Sequence, residues 1–172
     1  KKYAYDDRPL PIEEGQTISQ PYIVASMIQL LGPEAEDRVL EIGTGSGYAA
    51  AVLSRIVKRV YTIERHKLLA SKAENIYKKL GYDNIEVKIG DGTEGWREKA
   101  PFSSILVSAA APEIPDKLSE QLKTGGGKMI IPVGKKHGLQ KLIRLTRKEK
   151  DEFEIENLEY VRFVPLIGKY GW

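Results

Sequence analysis

The sequence predicts a doubly wound α/β fold around a mostly parallel sheet. Three observations predict it. Short apolar runs rich in β-branched residues alternate with helical stretches along the chain. One run, Val39-Leu40-Glu41-Ile42, enters the glycine-rich turn Gly43-Thr44-Gly45-Ser46-Gly47. Another, Val60-Tyr61-Thr62-Ile63, ends in Glu64, 21 positions after Gly43. In such a sheet that spacing sets an acid at the tip of the neighbouring strand, where it can grip both hydroxyls of a ribose. An adenosine-containing ligand is therefore expected.

The elements follow in order. Lys1 to Gln20 is punctuated by Pro and Gly and reads as an ordered loop region. Pro21 to Leu31 is a helix, because Ile23, Met27, Leu30 and Leu31 recur at helical spacing, and Gly32-Pro33 stops it. Arg38 to Ile42 is the first core strand. Gly47 to Val57 is the next helix, with Ala49, Ala50 and Ala51 small enough to pack close to the sheet. Val60 to Ile63 is a strand, His66 to Leu80 a helix closed by Gly81, and Ile85 to Ile89 the third strand. Ser104 to Val107 is the fourth strand, Pro115 to Leu122 a short helix and Lys128 to Val133 the fifth strand. Leu139 to Thr146 and Glu159 to Leu166 read as two more strands, although Leu142, Ile143 and Leu145 fit no single alternation.

Composition narrows the class. With 41% hydrophobic and 30% charged residues over 172 positions, the chain suits one folded domain. No run approaches the about 18 apolar residues a membrane span needs. No cysteine is present, which excludes disulfides, thiolate catalysis and cysteine metal sites. A cytoplasmic enzyme without membrane contact is the expectation. The net charge is +3, and the densest basic run, Arg144 to Lys150, is interrupted by Glu149. That pattern reads as a solvated face, so no nucleic-acid partner is expected. His66 and His137 lack a ligand partner at useful spacing and read as surface residues, so no metal is expected. Trp96 and Trp172 are read as packing residues.

The glycine pattern selects the cofactor. A dinucleotide fingerprint needs G-x-G-x-x-G to bring a helix N-terminus to a pyrophosphate. Here the glycines stand at 43, 45 and 47, with Tyr48 next and Glu41 two residues before the turn. A carboxylate there repels a pyrophosphate but suits S-adenosylmethionine, which carries an ammonium and a sulfonium and no phosphate. The pattern resembles motif I of S-adenosylmethionine-dependent methyltransferases. Gly90-Asp91-Gly92 follows the third strand, at the carboxyl edge where an Asp can accept from an adenine amino group; a plain Asp-Gly turn is the alternative.

Three further segments carry a more specific resemblance. They are Gly15-Gln16-Thr17-Ile18-Ser19-Gln20-Pro21, Val107-Ser108-Ala109-Ala110-Ala111-Pro112-Glu113-Ile114-Pro115 and Val161-Arg162-Phe163-Val164-Pro165-Leu166-Ile167-Gly168. With motif I they resemble the protein-L-isoaspartate (D-aspartate) O-methyltransferases, from about Tyr5 to Trp172. The resemblance implies a seven-stranded class I methyltransferase sheet of Rossmann-like type. It implies methyl transfer to the free α-carboxylate of L-isoaspartyl or D-aspartyl residues in damaged proteins and peptides, with repair following through a succinimide. Ser19 then matches the active-site serine, and Gln16, Thr17, Ile18, Leu166 and Ile167 the acceptor side. Glu41, Gly43, Thr44, Gly45, Ser46, Gly47, Glu64, Arg65, Asp91 and Gly92 match the cofactor side. Residues 1–172 form one domain on this reading, 1–20 as a substrate-side loop region and 21–172 as the cofactor-binding sheet with its C-terminal strands. The family has a helical segment ahead of this chain's first residue.

Some readings stay open. Ser19 stands two residues before Pro21, so helix capping is its other assignment. Glu13 and Glu14 stand where the family often has Gly, and they oppose an acidic substrate unless they point away. A methyltransferase for nucleic acid or a small metabolite is one rival. Its amino-directed members carry an Asn/Asp-Pro-Pro-aromatic motif where this chain has Ser108-Ala109-Ala110-Ala111-Pro112. The other rival is a module that recognises isoaspartyl proteins without transferring anything.

Overall fold

A computed structural model describes residues 3, 5–136 and 138–172. Two short strands, β1 (Leu10–Pro11) and β2 (Thr17–Ile18), pair antiparallel ahead of helix α1 (Pro21–Leu31). Next come β3 (Arg38–Ile42), α2 (Tyr48–Ser54), β4 (Arg59–Glu64), α3 (Lys67–Leu80) and β5 (Ile85–Ile89). The chain then forms β6 (Ser104–Val107), α4 (Asp116–Ser119), β7 (Gly127–Gly134), β8 (Gln140–Arg147) and β9 (Phe153–Val161).

Strands β3 to β9 form one seven-stranded sheet in the order β5-β4-β3-β6-β7-β8-β9. The five strands β3 to β7 are parallel, and β8 and β9 are antiparallel. This is the expected mostly parallel, Rossmann-like fold. The strand order reverses between β3 and β6, and in open α/β sheets the ligand crevice lies at that switch point, outside the carboxyl ends of the strands.

Each sheet face is covered. Val39, Val60, Leu106 and Ile130 pack against Met27 and Leu31 of α1, Leu53 of α2 and Ala73 and Tyr77 of α3. Leu40, Ile42, Ile63, Ile105 and Met129 point the other way, onto Phe102, Leu118 and Leu122. The ambiguous run in β8 belongs to both layers: Leu142 enters the first, Ile143 and Leu145 the second. A strand buried on both faces shows no polar alternation, which is why its sequence gave no single reading.

Several boundaries differ from expectation. The helix after the glycine turn covers only Tyr48–Ser54, and the Ser54 hydroxyl bonds back to the Ala51 carbonyl at its end. The 115–122 helix shrinks to Asp116–Ser119, because Leu122 leaves it to bridge with Phe102. The second strand is longer, Arg59–Glu64, since Glu64 completes the ladder with Ile89. The last strand runs Phe153–Val161 instead of 159–166, zipped to β8 as the outermost strand of the sheet. Residues 162–166 leave the sheet and cross over the carboxyl end of β6. There Ala110 N–H donates to Val164 O at 2.8 Å and Leu166 N–H to Ala110 O at 2.7 Å.

Candidate active site

The glycine turn after β3 is fixed by backbone bonds. Gly43 N–H donates to Ile63 O at 2.9 Å, and Gly45 N–H donates to Glu64 Oε2 at 2.9 Å. His66 N–H donates to Glu64 Oε1, also at 2.9 Å. The Glu64 carboxylate is thus buried and held from two sides at the tip of β4. Each oxygen keeps further acceptor capacity, because an ionised carboxylate has about four lone-pair sites. Gly47 adopts φ +86°, and a Cβ there would stand 2.7 Å from the Tyr77 hydroxyl. Its missing side chain lets Tyr77 approach and donate to Gly47 O at 3.0 Å, so Gly47 serves the turn's packing.

Glu41 is fully buried. Its Oε2 accepts from the Thr62 hydroxyl at 2.5 Å, and Thr62 in turn meets the Thr44 hydroxyl at 2.6 Å. Its Oε1 has no protein partner. Burial, with the Glu64 charge adding to it, pushes the Glu41 carboxyl up to about 8 against the opposing Thr62 bond. Its neutral form is thereby favoured.

A cavity of about 100 Å³ opens beside the glycine turn and Glu64. Gly43, Gly45, Glu64, Arg65, His66 and Gly92 form one side, with Ile42 and Ile63 as apolar floor. Leu166 and Ile167, with Val164 and Pro165, form the facing wall, and Gln16 and Thr17 hang over it from the N-terminal segment. Asp91 is placed differently. Its Oδ1 accepts from the Thr93 N–H and hydroxyl, and its Oδ2 accepts from Lys169 N–H at 2.8 Å. Burial opposes ionisation of Asp91, yet the Lys169 and Thr93 bonds and the Arg65 charge hold its carboxyl below the usual range. In this structure Asp91 ties down the C-terminal segment, while its neighbour Gly92 faces the cavity.

The other side of the site is built from the N-terminal segment, residues 7–20. The start of α1 is capped from a distance: Asp7 Oδ1 accepts Tyr22 N–H at 2.9 Å, and Asp7 Oδ2 accepts from the Gln20 amide at 3.1 Å. Gln20 is the N-cap residue and caps nothing with its own side chain. The capping assignment for Ser19 is thereby removed, and its hydroxyl has no partner among the described residues. Ser19 lines a second cavity of about 300 Å³, with Pro9, Ile23, Tyr160 and Arg162, and a small third one beside Glu41, Thr44, Ser46 and Ile18. Glu13 and Glu14 are each taken up by a basic partner, and neither lines the cavities described. Glu13 accepts a hydrogen bond from Lys72 of α3, and Glu14 Oε2 lies 3.5 Å from His66 Nδ1. The Lys72 bond holds the Glu13 carboxyl below its ordinary value.

Three residues, Thr17, Ser108 and Val164, line both the first cavity and the Ser19 cavity, so the two meet there. Ser108 and His66 were not singled out from sequence. From sequence Ser108 shows only as the first residue after the fourth strand. His66 looked like a surface residue because its Glu14 partner lies 52 positions earlier. Trp96 is buried and stacks edge-on to Tyr61 at 5.6 Å, and Trp172 donates from Nε1 to Ala110 O at 3.3 Å, both in packing roles. His137 lies outside the described residues. Among the described residues no group of three His, Asp or Glu side chains is placed to hold a metal ion, and no helix is long and apolar enough to cross a membrane.

The model of the family Protein-L-isoaspartate(D-aspartate) O-methyltransferase matches residues 1–171. The chain belongs to this family. A protein-L-isoaspartate O-methyltransferase of Brucella anthropi is 53% identical over 171 residues, covering 99% of this chain and 78% of its own. A solved protein-L-isoaspartate O-methyltransferase superposes with TM-score 0.89 at 31% identity, over 99% of this chain and 56% of that one. A Plasmodium falciparum β-aspartate methyltransferase, solved in complex with S-adenosyl-L-homocysteine, superposes with TM-score 0.81 at 27% identity, over 97% of this chain and 83% of its own. Membership makes the chain an S-adenosylmethionine-dependent methyltransferase acting on isoaspartyl-containing proteins.

Proposed function

We propose that this methyltransferase transfers a methyl group to the free α-carboxylate of L-isoaspartyl residues, and of D-aspartyl residues as a second class, where the two cavities meet. The meeting of the Ser19 cavity with the Glu64 cavity at Thr17 and Val164 is the observation that carries the reading. The residues present fit S-adenosylmethionine. Glu41 offers an unpartnered buried oxygen to an ammonium, Glu64 offers its remaining lone pairs to ribose hydroxyls, and Ile63, Leu166 and Ile167 offer apolar walls to a base. Gly43, Thr44, Gly45, Ser46, Arg65 and Gly92 complete that side. When bound, the cofactor supplies a methyl group activated by a sulfonium charge.

The chain's own residues position and dry the reaction. The acceptor carboxylate is ionised at neutral pH, with a reference pKa near about 3.3 to 3.7, so no protein base is needed. Ser19 donates a hydrogen bond that orients it without removing a proton. Opposite charges are consumed during transfer, so walls such as Val164, Leu166 and Ile167, which exclude water, favour it. Gln16, Thr17 and Ile18 hold the acceptor from the N-terminal segment. Asp91 acts through the C-terminal wall in this arrangement, with adenine contact as its second assignment.

We read residues 1–172 as one domain, with 1–20 serving the acceptor and 21–172 the cofactor. Composition assigns it to the cytoplasm. No nucleic-acid role is assigned, because the basic run is paired: Arg144 with Glu156, Lys148 with Glu154, and Arg147 with the carbonyls of Glu120 and Leu122. The test is radiolabel transfer to an isoaspartyl peptide beside its aspartyl twin. Label on the isoaspartyl peptide alone, released as methanol without enzyme, is expected. Equal labelling, or a base-stable product, overturns the acceptor.

A further inference from the structure

Ser108 holds a position that the reading above leaves unused. Its N–H donates to Ile42 O at 2.8 Å, continuing the β3–β6 ladder to its last rung. It therefore stands at the switch point, opposite Gly43. A Cβ built on Gly43 would meet Ser108 Cβ at 3.6 Å, so the two strand ends stand side by side at the cavity with only one side chain between them. Ser108 lines the cofactor-side cavity, the Ser19 cavity and the small cavity beside Glu41. Thr17 alone shares that distribution, but Thr17 is exposed and sits on the two-residue strand of the N-terminal segment, whereas Ser108 is half-buried at the end of a central strand.

The Ser108 hydroxyl has no hydrogen-bond partner among the described residues. Its neighbours in the same segment have structural duties: Ala110 exchanges two backbone bonds with Val164 and Leu166, and Ala111 N–H bonds Pro132 O. These alanines are fully buried and carry no polar side chain. Ser108 is thus the one hydroxyl that the segment presents to the crevice.

We propose that Ser108 is a second acceptor-binding residue, donating its hydroxyl hydrogen bond to the isoaspartyl carboxylate that Ser19 also holds. This rests on the acceptor reading above. Two donors on different elements lining one cavity, one on the N-terminal segment and one on the rigid sheet, fix the direction in which a carboxylate oxygen faces its reaction partner. One donor alone leaves the carboxylate free to pivot. The rigid donor is the more precise of the two, because a strand end moves less than a loop. No bond to Ser108 forms or breaks, and its proton stays on the hydroxyl.

The experiment compares Ser108→Ala, Ser108→Thr and the Ser19→Ala/Ser108→Ala double variant with the parent chain. The readouts are steady-state kinetics on an isoaspartyl peptide, calorimetric S-adenosylhomocysteine affinity and melting temperature. Ser108→Ala should lower kcat/KM for the peptide about tenfold to a hundredfold, the worth of a hydrogen bond to a charged acceptor. S-adenosylhomocysteine affinity should stay within about twofold, and Ser108→Thr, which keeps the hydroxyl, should recover most of the loss. The double variant should lose less than the product of the single losses, since both hydroxyls serve one carboxylate. A kcat/KM within twofold of the parent for Ser108→Ala overturns the inference while leaving the acceptor reading intact. So does a loss matched by an equal loss of cofactor affinity, or strictly multiplicative single losses. A parent chain that labels no isoaspartyl peptide overturns the acceptor reading itself, and the two failures are told apart.

Discussion

On the cofactor rim, Glu64 accepts backbone N–H bonds from Gly45 and His66 before any ligand arrives. On the rim of the Ser19 cavity, Ser19, Thr17 and Ser108 carry hydroxyls that bond to nothing among the described residues. The difference has a physical reason. Burying a carboxylate is costly unless its charge is hydrogen-bonded, so a buried binding acid must be satisfied by the fold. A hydroxyl beside an open cleft is satisfied by water and can wait for its substrate. The first kind of group is prepositioned and costs stability when changed; the second costs turnover. Glu41 stands between the two kinds, buried like Glu64 yet half-satisfied.

The largest effect is expected from Ser19→Ala. It should lower kcat/KM for an isoaspartyl peptide by about a hundredfold or more, the scale for one oriented donor. Melting temperature should hold, because Asp7 caps α1. An unchanged rate, or a rate loss tracking a lower melting temperature, would erase the distinction between the rims.

Glu64→Gln should show the converse. S-adenosylhomocysteine affinity should fall by about 1.5 to 3 kcal/mol, tenfold to a hundredfold. Melting temperature should fall with it, since the Gly45 and His66 N–H groups lose a charged acceptor. The burial of Glu64 at the tip of β4 makes that loss of stability measurable. Calorimetry showing weaker binding with no loss of stability would place Glu64 with the waiting groups.

Glu41 sharpens the comparison through pH. Its folded pKa, raised to about 8, means that its neutral form stabilises the ligand-free protein. That contribution is full below its ordinary value of 4.5 and is lost as pH rises toward 8. Ligand-free Glu41→Gln should therefore gain melting temperature over the parent most clearly above pH 8. A bound ammonium favours the ionised form, so binding at pH 7 should release protons and tighten from pH 6 to 8. Calorimetry in buffers of different ionisation enthalpy measures this. With both substrates saturating, kcat should stay flat over the same interval. Proton uptake on binding would place the cofactor's ammonium elsewhere.

The smallest effect belongs to the exposed Glu13–Lys72 pair. Lys72→Ala should leave melting temperature unchanged at neutral pH, as solvent-exposed pairs contribute little. Whatever the pair contributes is present above the ordinary Glu13 pKa of 4.5 and lost as pH falls through its lowered value. A KM for the peptide changed by more than about twofold would show that the pair holds the N-terminal segment in place.

The elements that rest on neighbours in sequence were readable from it. The glycine turn, the 21-residue step to Glu64 and the helices ended by Gly32 and Gly81 depend on dihedral freedom and periodicity, which are local properties. Only the tertiary structure decided where long-range partners lie. Asp7 took the capping role from Ser19, Lys72 and His66 took up Glu13 and Glu14, and Lys169 drew Asp91 toward the C-terminal segment. Residues 162–166 read as strand by their apolar run, yet the segment is held by Ala110 across the end of β6, which makes it a cleft wall. Ser108 follows the fourth strand in sequence, but that this strand end is a switch point emerges only with the strand order. Periodicity records which side of an element is buried; it does not record which distant backbone or side chain will meet it there.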